Sequence, residues 1–299
     1  MDNINKTPVF FHIPKNSGTY FLNRSFAFAS IINDDSQADK TNVRLEILSD
    51  GDIKYRLICF DNERVMKLLK YFTHVLNGRV YQIDIKDCSK DLFQFFDIFA
   101  VVICDRGFGS YKEELYPLLP YSFSPFYIIS LRDAFSRSLS MYSYVQSDKS
   151  SHEEYHDAFK DISFDEYLNS DLIEESWLIS QILFNGDKSI KIKQKDLDEV
   201  VSLLDTFDKV IDYKDIWECL CETYMECYGI NAEENKEKLD YWLEVKNETP
   251  EKLKIKFSDL KKSTRDVFIK NSKWEKILFD RYITDNKQKG RNNADISQK

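Results

Sequence analysis

Two short stretches hold the residues whose types and spacing suit chemistry. The first is Val9 to Phe26, VFFHIPKNSGTYFLNRSF, where an apolar run gives way to Pro14-Lys15 and then to Asn16, Ser17, Gly18 and Thr19. A strand that ends in a tight turn and restarts as a helix presents the free N–H groups of the helix's first turn. The helix dipole favours negative charge at the same place. Gly18 permits close backbone approach, Thr19 offers a hydroxyl donor, and Lys15 adds a mobile full charge. The second stretch is Tyr127 to Tyr144, YIISLRDAFSRSLSMYSY, in which Arg132 stands at the end of an apolar run and Ser140 lies eight residues further on. An arginine at a strand's carboxyl edge and a hydroxyl on the following helix clamp a second phosphate. Ligands of open α/β sheets bind at the carboxyl ends of strands, so both clamps are expected on one edge.

The nucleoside-triphosphate P-loop, G-x-x-x-x-G-K-[ST], is the obvious comparison, and this sequence fails it. Its lysine precedes the glycine by three residues, no leading glycine exists, and no Ser or Thr follows a lysine to hold magnesium. The loop is expected to bind a phosphate-like anion without the magnesium arrangement of kinases and ATPases.

The elements around these stretches follow from periodicity. Pro8 to Ile13 is almost wholly apolar, as a strand covered on both faces would be. Thr19 to Ile32 reads as a helix that Thr19 can cap. Val43 to Leu48 and Ile53 to Phe60 flank Ser-Asp-Gly-Asp and predict a hairpin. Glu63 to Leu76 is helical by pattern. Strands are expected at Arg79 to Ile85, Ile98 to Cys104 and Phe126 to Leu131, with helices at Leu92 to Phe96, Tyr111 to Leu118 and Phe135 to Tyr144. Beyond Phe164 the pattern is mainly helical: 164–169, 173–184, 196–204, 213–228 and 272–284, with one late edge strand at Lys209 to Asp212. Such alternation predicts a P-loop-like three-layer α/β/α fold, with a central, mostly parallel sheet of about four or five strands and a helical C-terminal half. Residues 1–285 read as one domain, and 286–299 as a polar, disordered tail.

The residues also resemble a family. FFHIPKNSGTYFL is similar to the 5′-phosphosulfate loop of sulfotransferases, usually P-K-[TS]-G-[GS]-T, and LRDAFSRSLSMY to their 3′-phosphate motif, R-D-P-x-x-R-x-x-S-x-Y. The carbohydrate sulfotransferase branch is the best match. Weaker echoes follow in order in ESWLISQILFNGD, EVKNETPEK and NSKWEKILFDRYI, so the resemblance spans Pro8 to Ile283. It implies transfer of a sulfuryl group from 3′-phosphoadenosine 5′-phosphosulfate (PAPS) to a hydroxyl of a glycan or other acceptor, with no metal. Under it, Lys15 contacts the bridging and leaving oxygens, Asn16, Ser17, Gly18, Thr19 and Tyr20 cradle the phosphosulfate, and Arg132 and Ser140 bind the 3′-phosphate. Ser17 stands where a glycine is common, Tyr20 where Ser or Thr is common, and Ala134 where the pattern has proline.

An acceptor hydroxyl needs a base within hydrogen-bond reach. No histidine lies in VVICDRGFGSYKEE, just after the strand where some relatives carry one. Asp105 is the first candidate, Glu113 the second and Asp84 the third, with Arg106 as a group that orients the acceptor. His12 beside the loop reads as a structural histidine. His152 to His156, HEEYH, formally matches H-E-x-x-H, with Glu153 as base and Glu174 or Glu175 as third ligand. It follows a polar loop, has no apolar face and carries Glu154 inside the motif, so it reads as an exposed loop or lid helix. The alternatives to sulfuryl transfer are a nucleotide- or glycan-binding protein that has lost its base, and a phosphoryl-transfer enzyme, which the missing Walker residues disfavour.

Composition sets the outer bounds. The 299 residues are 42% apolar and 31% charged, with net charge −9, which suits a globular protein and argues against a nucleic-acid partner. Of the six cysteines, Cys59 and Cys104 read as buried thiols. Cys219, Cys221 and Cys227 lack the other half of a zinc site. The N-terminus has no signal-peptide pattern, and no window reaches the ~20 apolar residues of a membrane span. The expectation is a cytoplasmic protein without a membrane anchor.

Overall fold

In the computed structural model the described residues are 6–13, 18–35, 42–60, 74–76, 80–104, 107–146, 157, 159, 161–170, 176–187, 189–243 and 255–285. They gather into two compact units, one of Met1–Ser130 with Phe207–Lys246, the other of Leu131–Thr206 with Asn247–Lys299.

The first unit begins with β1 (Thr7–His12), whose side chains are buried on both faces, and α1 (Gly18–Asp35). Neighbouring strand residues point to opposite faces, and two adjacent phenylalanines show where each helical layer lies. The Phe10 ring stacks on Phe21 of α1 at 4.3 Å. Phe11 meets Phe108 edge-on at 6.3 Å. The hairpin is β2 (Asn42–Ser49) and β3 (Asp52–Phe60). Its two-residue turn is Asp50-Gly51, with φ of 55° and 85°, the doubly left-handed turn that matches strand twist and that Asp-Gly favours. There follow β4 (His74–Leu76), β5 (Val80–Asp84), α2 (Lys90–Phe93), β6 (Asp97–Cys104), α3 (Phe108–Glu114) and β7 (Pro125–Leu131).

The second unit carries α4 (Ala134–Val145), α5 (Phe164–Leu168), α6 (Trp177–Phe184) and α7 (Gln194–Leu204). The chain then returns to the first unit with β8 (Lys209–Asp212), α8 (Ile216–Tyr228) and α9 (Lys236–Leu243). It ends in the second with α10 (Lys262–Asn271), α11 (Lys273–Phe279) and a wider π turn, Asp280–Thr284.

The sheet has eight strands in the order β4-β5-β2-β3-β6-β1-β7-β8. Strands β5, β2, β6, β1 and β7 run one way, while β3 and β4 run against them, so the fold is α/β with a mostly parallel sheet. More strands are present than the four or five expected because the hairpin does not stand apart. It is built into the sheet, β2 pairing with β5 and β3 with β6. Residues His74–Leu76, assigned to a helix from the sequence, form edge strand β4; the rest of that expected helix before His74 lies outside the described residues, as does the 286–299 tail. Among the described residues of the second unit, helices carry the structure. Their core gathers Phe164, Tyr167, Leu168 and Phe268 around Tyr142 of α4.

Candidate functional site

The strand–link–helix arrangement around the first motif is present. β1 ends at His12, Ile13 is buried, and α1 starts at Gly18. Stacking of Phe10 on Phe21 fixes α1 back over its own strand, so only residues 13–17 join the two. The first turn of α1 contains no acidic residue, which leaves its positive dipole end uncompensated from within the helix. Lys15, Asn16 and Ser17 lie outside the described residues. Gly18 and Thr19 form the first turn itself, so Thr19 sits inside the helix instead of capping it. Tyr20 is half-buried, with the Arg24 guanidinium 4.7 Å over its ring. Arg24 also lies 5.3 Å over Trp217 of α8. The bulky side chain that departs from the usual small residue is thus engaged in a cation–π stack within its own unit.

The sheet brings three strand ends to this edge. β6 runs parallel beside β1, with His12 opposite Cys104, and β7 runs parallel on the other side, with Phe11 opposite Ile129. Asp105, the first candidate base, is next in the chain after Cys104, but it and Arg106 lie outside the described residues. Glu113 is exposed near the end of α3, while its neighbour Glu114 accepts a hydrogen bond from the Tyr55 hydroxyl at 2.7 Å. Asp84 is engaged locally, accepting from the Lys86 amide at 2.9 Å to cap the short turn Ile85–Asp87. His12 is half-buried at the end of its strand.

On α3 Lys112 is half-buried. Its amine donates to the Tyr127 hydroxyl at 2.5 Å and lies 4.1 Å over Tyr116 and 4.6 Å over Tyr127. Burial holds this amine below the usual lysine value and pushes the Tyr127 and Tyr111 hydroxyls upward.

Within the second unit, α4 holds the other motif. Asp133 caps it by accepting from the Ser136 amide at 2.9 Å. Ser138, Tyr142 and Val145 are buried on one face. Ser140, two residues from Ser138, projects from the opposite face and is half-buried, as is Arg132, the first residue after β7. The motif's second arginine, Arg137, has a structural task. Its Nη2 reaches both carboxylate oxygens of Glu275 at 3.0 and 2.8 Å, and its guanidinium lies 4.1 Å over Trp177. Glu275 also accepts from the Leu178 amide at 3.2 Å, at the start of α6.

One cluster escaped the sequence reading. On β2, Glu46 is buried, and its Oε1 lies 3.2 Å from the Arg44 Nε and 3.3 Å from the Arg56 Nε. Its Oε2 accepts from Gln82 at 2.8 Å. Register explains the grouping, because Arg56 of β3 and Gln82 of β5 each stand directly opposite Glu46. The same row continues through Val102 of β6 to Phe10 of β1, so the cluster is on the sheet face that α1 covers. Charges at alternate positions in Arg44-Leu45-Glu46 and Lys54-Tyr55-Arg56 were the available signal.

His152, Glu153, His156, Glu174 and Glu175 lie outside the described residues. Among the described residues no group of three or more His, Cys, Asp or Glu side chains could hold a metal ion. Cys219, Cys221 and Cys227 are free thiols on α8, and burial raises them, Cys219 to about 11 and Cys227 to about 12. Cys59 and Cys104 are buried, as expected. No described helix is long and apolar enough to cross a membrane. Compared with models of protein families, with curated proteins and with solved structures, the chain matches none.

Proposed function

We propose that this chain is a P-loop-like, PAPS-dependent sulfotransferase acting on a carbohydrate hydroxyl. The observation that carries the reading is the β1–α1 unit, joined by residues 13–17, with no acidic residue in the first turn of α1 and with β6 and β7 running parallel to β1 on either side. That arrangement suits an anion receptor, and the two motifs of the sequence supply its charges.

In this reading Lys15 neutralises charge that grows on the departing phosphate as the sulfur–oxygen bond breaks. Such a contact strengthens in the transition state and so accelerates transfer. Amides of residues 16–20 hold the phosphosulfate, and Arg132 with Ser140 holds the 3′-phosphate. The acceptor hydroxyl attacks in line while Asp105 takes its proton. A second reading, a nucleotide binder without turnover, draws on the exposure of Glu113 and the local engagement of Asp84, which leave Asp105 as the remaining candidate base.

The test is calorimetry with 3′-phosphoadenosine 5′-phosphate, then labelled sulfate transfer to a panel of glycans. Lys15→Ala is expected to lower transfer by about 10²–10³-fold. Arg132→Ala is expected to weaken the 3′-phosphorylated nucleotide by about tenfold or more, and a nucleotide lacking that phosphate hardly at all. Equal affinity of the Arg132 variant and the parent for the 3′-phosphorylated form refutes that assignment. Tight nucleotide binding without transfer to any glycan favours the second reading, and no nucleotide binding overturns both.

A further inference from the structure

Among the described residues, the Arg44–Glu46–Arg56 cluster is unbalanced. Charge neutrality at a buried carboxylate needs one guanidinium, and two are present, both directed at the same oxygen. The other oxygen is taken by Gln82. Glu46 is 4% exposed, while Arg44 and Arg56 keep 32% and 28% of their side-chain surface. The carboxylate therefore lies beneath, accepting from the Arg56 Nε and ion-paired with the Arg44 Nε, and surplus positive charge is held at a half-buried position where like charges repel.

The remaining donors point to what that charge is for. The Arg44 Nε is buried and, despite its closeness to Glu46, makes no aligned hydrogen bond. The Arg56 Nη1 reaches only the thiol sulfur of Cys104, at 3.5 Å. No described group accepts from the Nη atoms of Arg44 or from the Nη2 of Arg56. Guanidinium forks suit the paired oxygens of carboxylate, phosphate and sulfate groups. The contact with Cys104, the residue opposite His12, sets Arg56 near the carboxyl end of β6.

From this geometry we infer that Arg44 and Arg56 form an anion-binding subsite for a compact oxyanion group, a carboxylate or a sulfate carried by a ligand, with Glu46 as the residue that positions both. The inference rests on these residues alone and does not depend on the donor proposal. If that proposal holds, the subsite makes the acceptor an acidic one.

The experiment is calorimetric titration of the full chain in a Lys15→Ala background, so that the link's lysine is not the source of binding. Sodium sulfate, sodium glucuronate and neutral glucose are compared at fixed ionic strength set with chloride. Sulfate or glucuronate, or both, is expected to bind, and glucose is not. Arg44→Gln and Arg56→Gln are each expected to weaken binding by about tenfold or more. Arg44→Lys and Arg56→Lys keep the charge, lose the fork and fall between, which gives a readout should a glutamine variant fail to fold. Sulfate without glucuronate, or the reverse, supports the subsite and names the group. Neither anion binding better than chloride overturns it, as does unchanged affinity in variants whose circular dichroism matches the parent.

Discussion

Each unit of this protein buries an arginine–glutamate cluster, and the two are built on opposite plans. In the second unit one arginine meets one glutamate: Arg137 and Glu275 are 13% and 3% exposed, the Trp177 ring covers the guanidinium, and the carboxylate also accepts from the Leu178 amide. In the first unit two arginines share one glutamate and stay about a third exposed. The closed pair is balanced and joins three helices, α4, α6 and α11. The open one carries surplus charge and lies on a sheet face. Burial of a charge is costly unless it is paired, so the first plan serves architecture, and the second makes sense where something else completes the pairing.

The largest effect expected from this contrast is on the closed pair. Glu275→Gln leaves the Arg137 charge buried without a counter-ion and puts an amide where a carboxylate held two donors. A loss of about 3–5 kcal/mol is expected in urea unfolding, large against the total stability of a domain. A change below about 1 kcal/mol would show that water reaches this junction and that the pair is not structural.

Glu46→Gln is expected to cost less, about 1–3 kcal/mol, because both arginines retain access to water and the Gln82 contact is itself only partly buried. The same change should weaken sulfate or glucuronate binding, since the arginines lose the carboxylate that both Nε atoms face. A variant as costly as Glu275→Gln would mean that the two clusters are alike, and the contrast would fail.

Much of the frame that holds these clusters was legible in the residues. The apolar run before Pro14, the Asp50-Gly51 turn and the edge strand Lys209–Asp212 all appear where composition and turn chemistry put them. The open cluster was hidden by one irregularity. Counting back from the two-residue turn sets Glu46 opposite Tyr55, whose side chain is buried against Tyr111 and Glu114. A register shift between Ile47 and Leu48 moves the pairing by one residue and sets Arg56 opposite Glu46 instead. Because the side-chain period is two, that single shift decides which residues share a face. Helix α10 was missed for another reason. Its apolar Val267 and Ile269 are exposed, and its anchors are Phe268 and Thr264, the latter accepting from Asn169 at 2.9 Å, so no apolar stripe announces it. The closed pair was illegible because its partners are 138 residues apart.

The smallest effect is also the sharpest discriminator. Removing an arginine from a balanced pair and from an unbalanced one should have different consequences for stability. Arg137→Gln strands the buried Glu275 carboxylate and is expected to cost about 3 kcal/mol or more. Arg44→Gln leaves Glu46 still paired with Arg56 and relieves the repulsion between two guanidiniums on one oxygen, so its stability change is expected to stay within about 0.5 kcal/mol of zero. Parallel urea titrations of the two variants measure the difference directly. If Arg44→Gln destabilised the protein as much as Arg137→Gln, both arginines would be needed to hold Glu46 down, no surplus charge would be left over, and the case for an anion at that face would lose its physical ground.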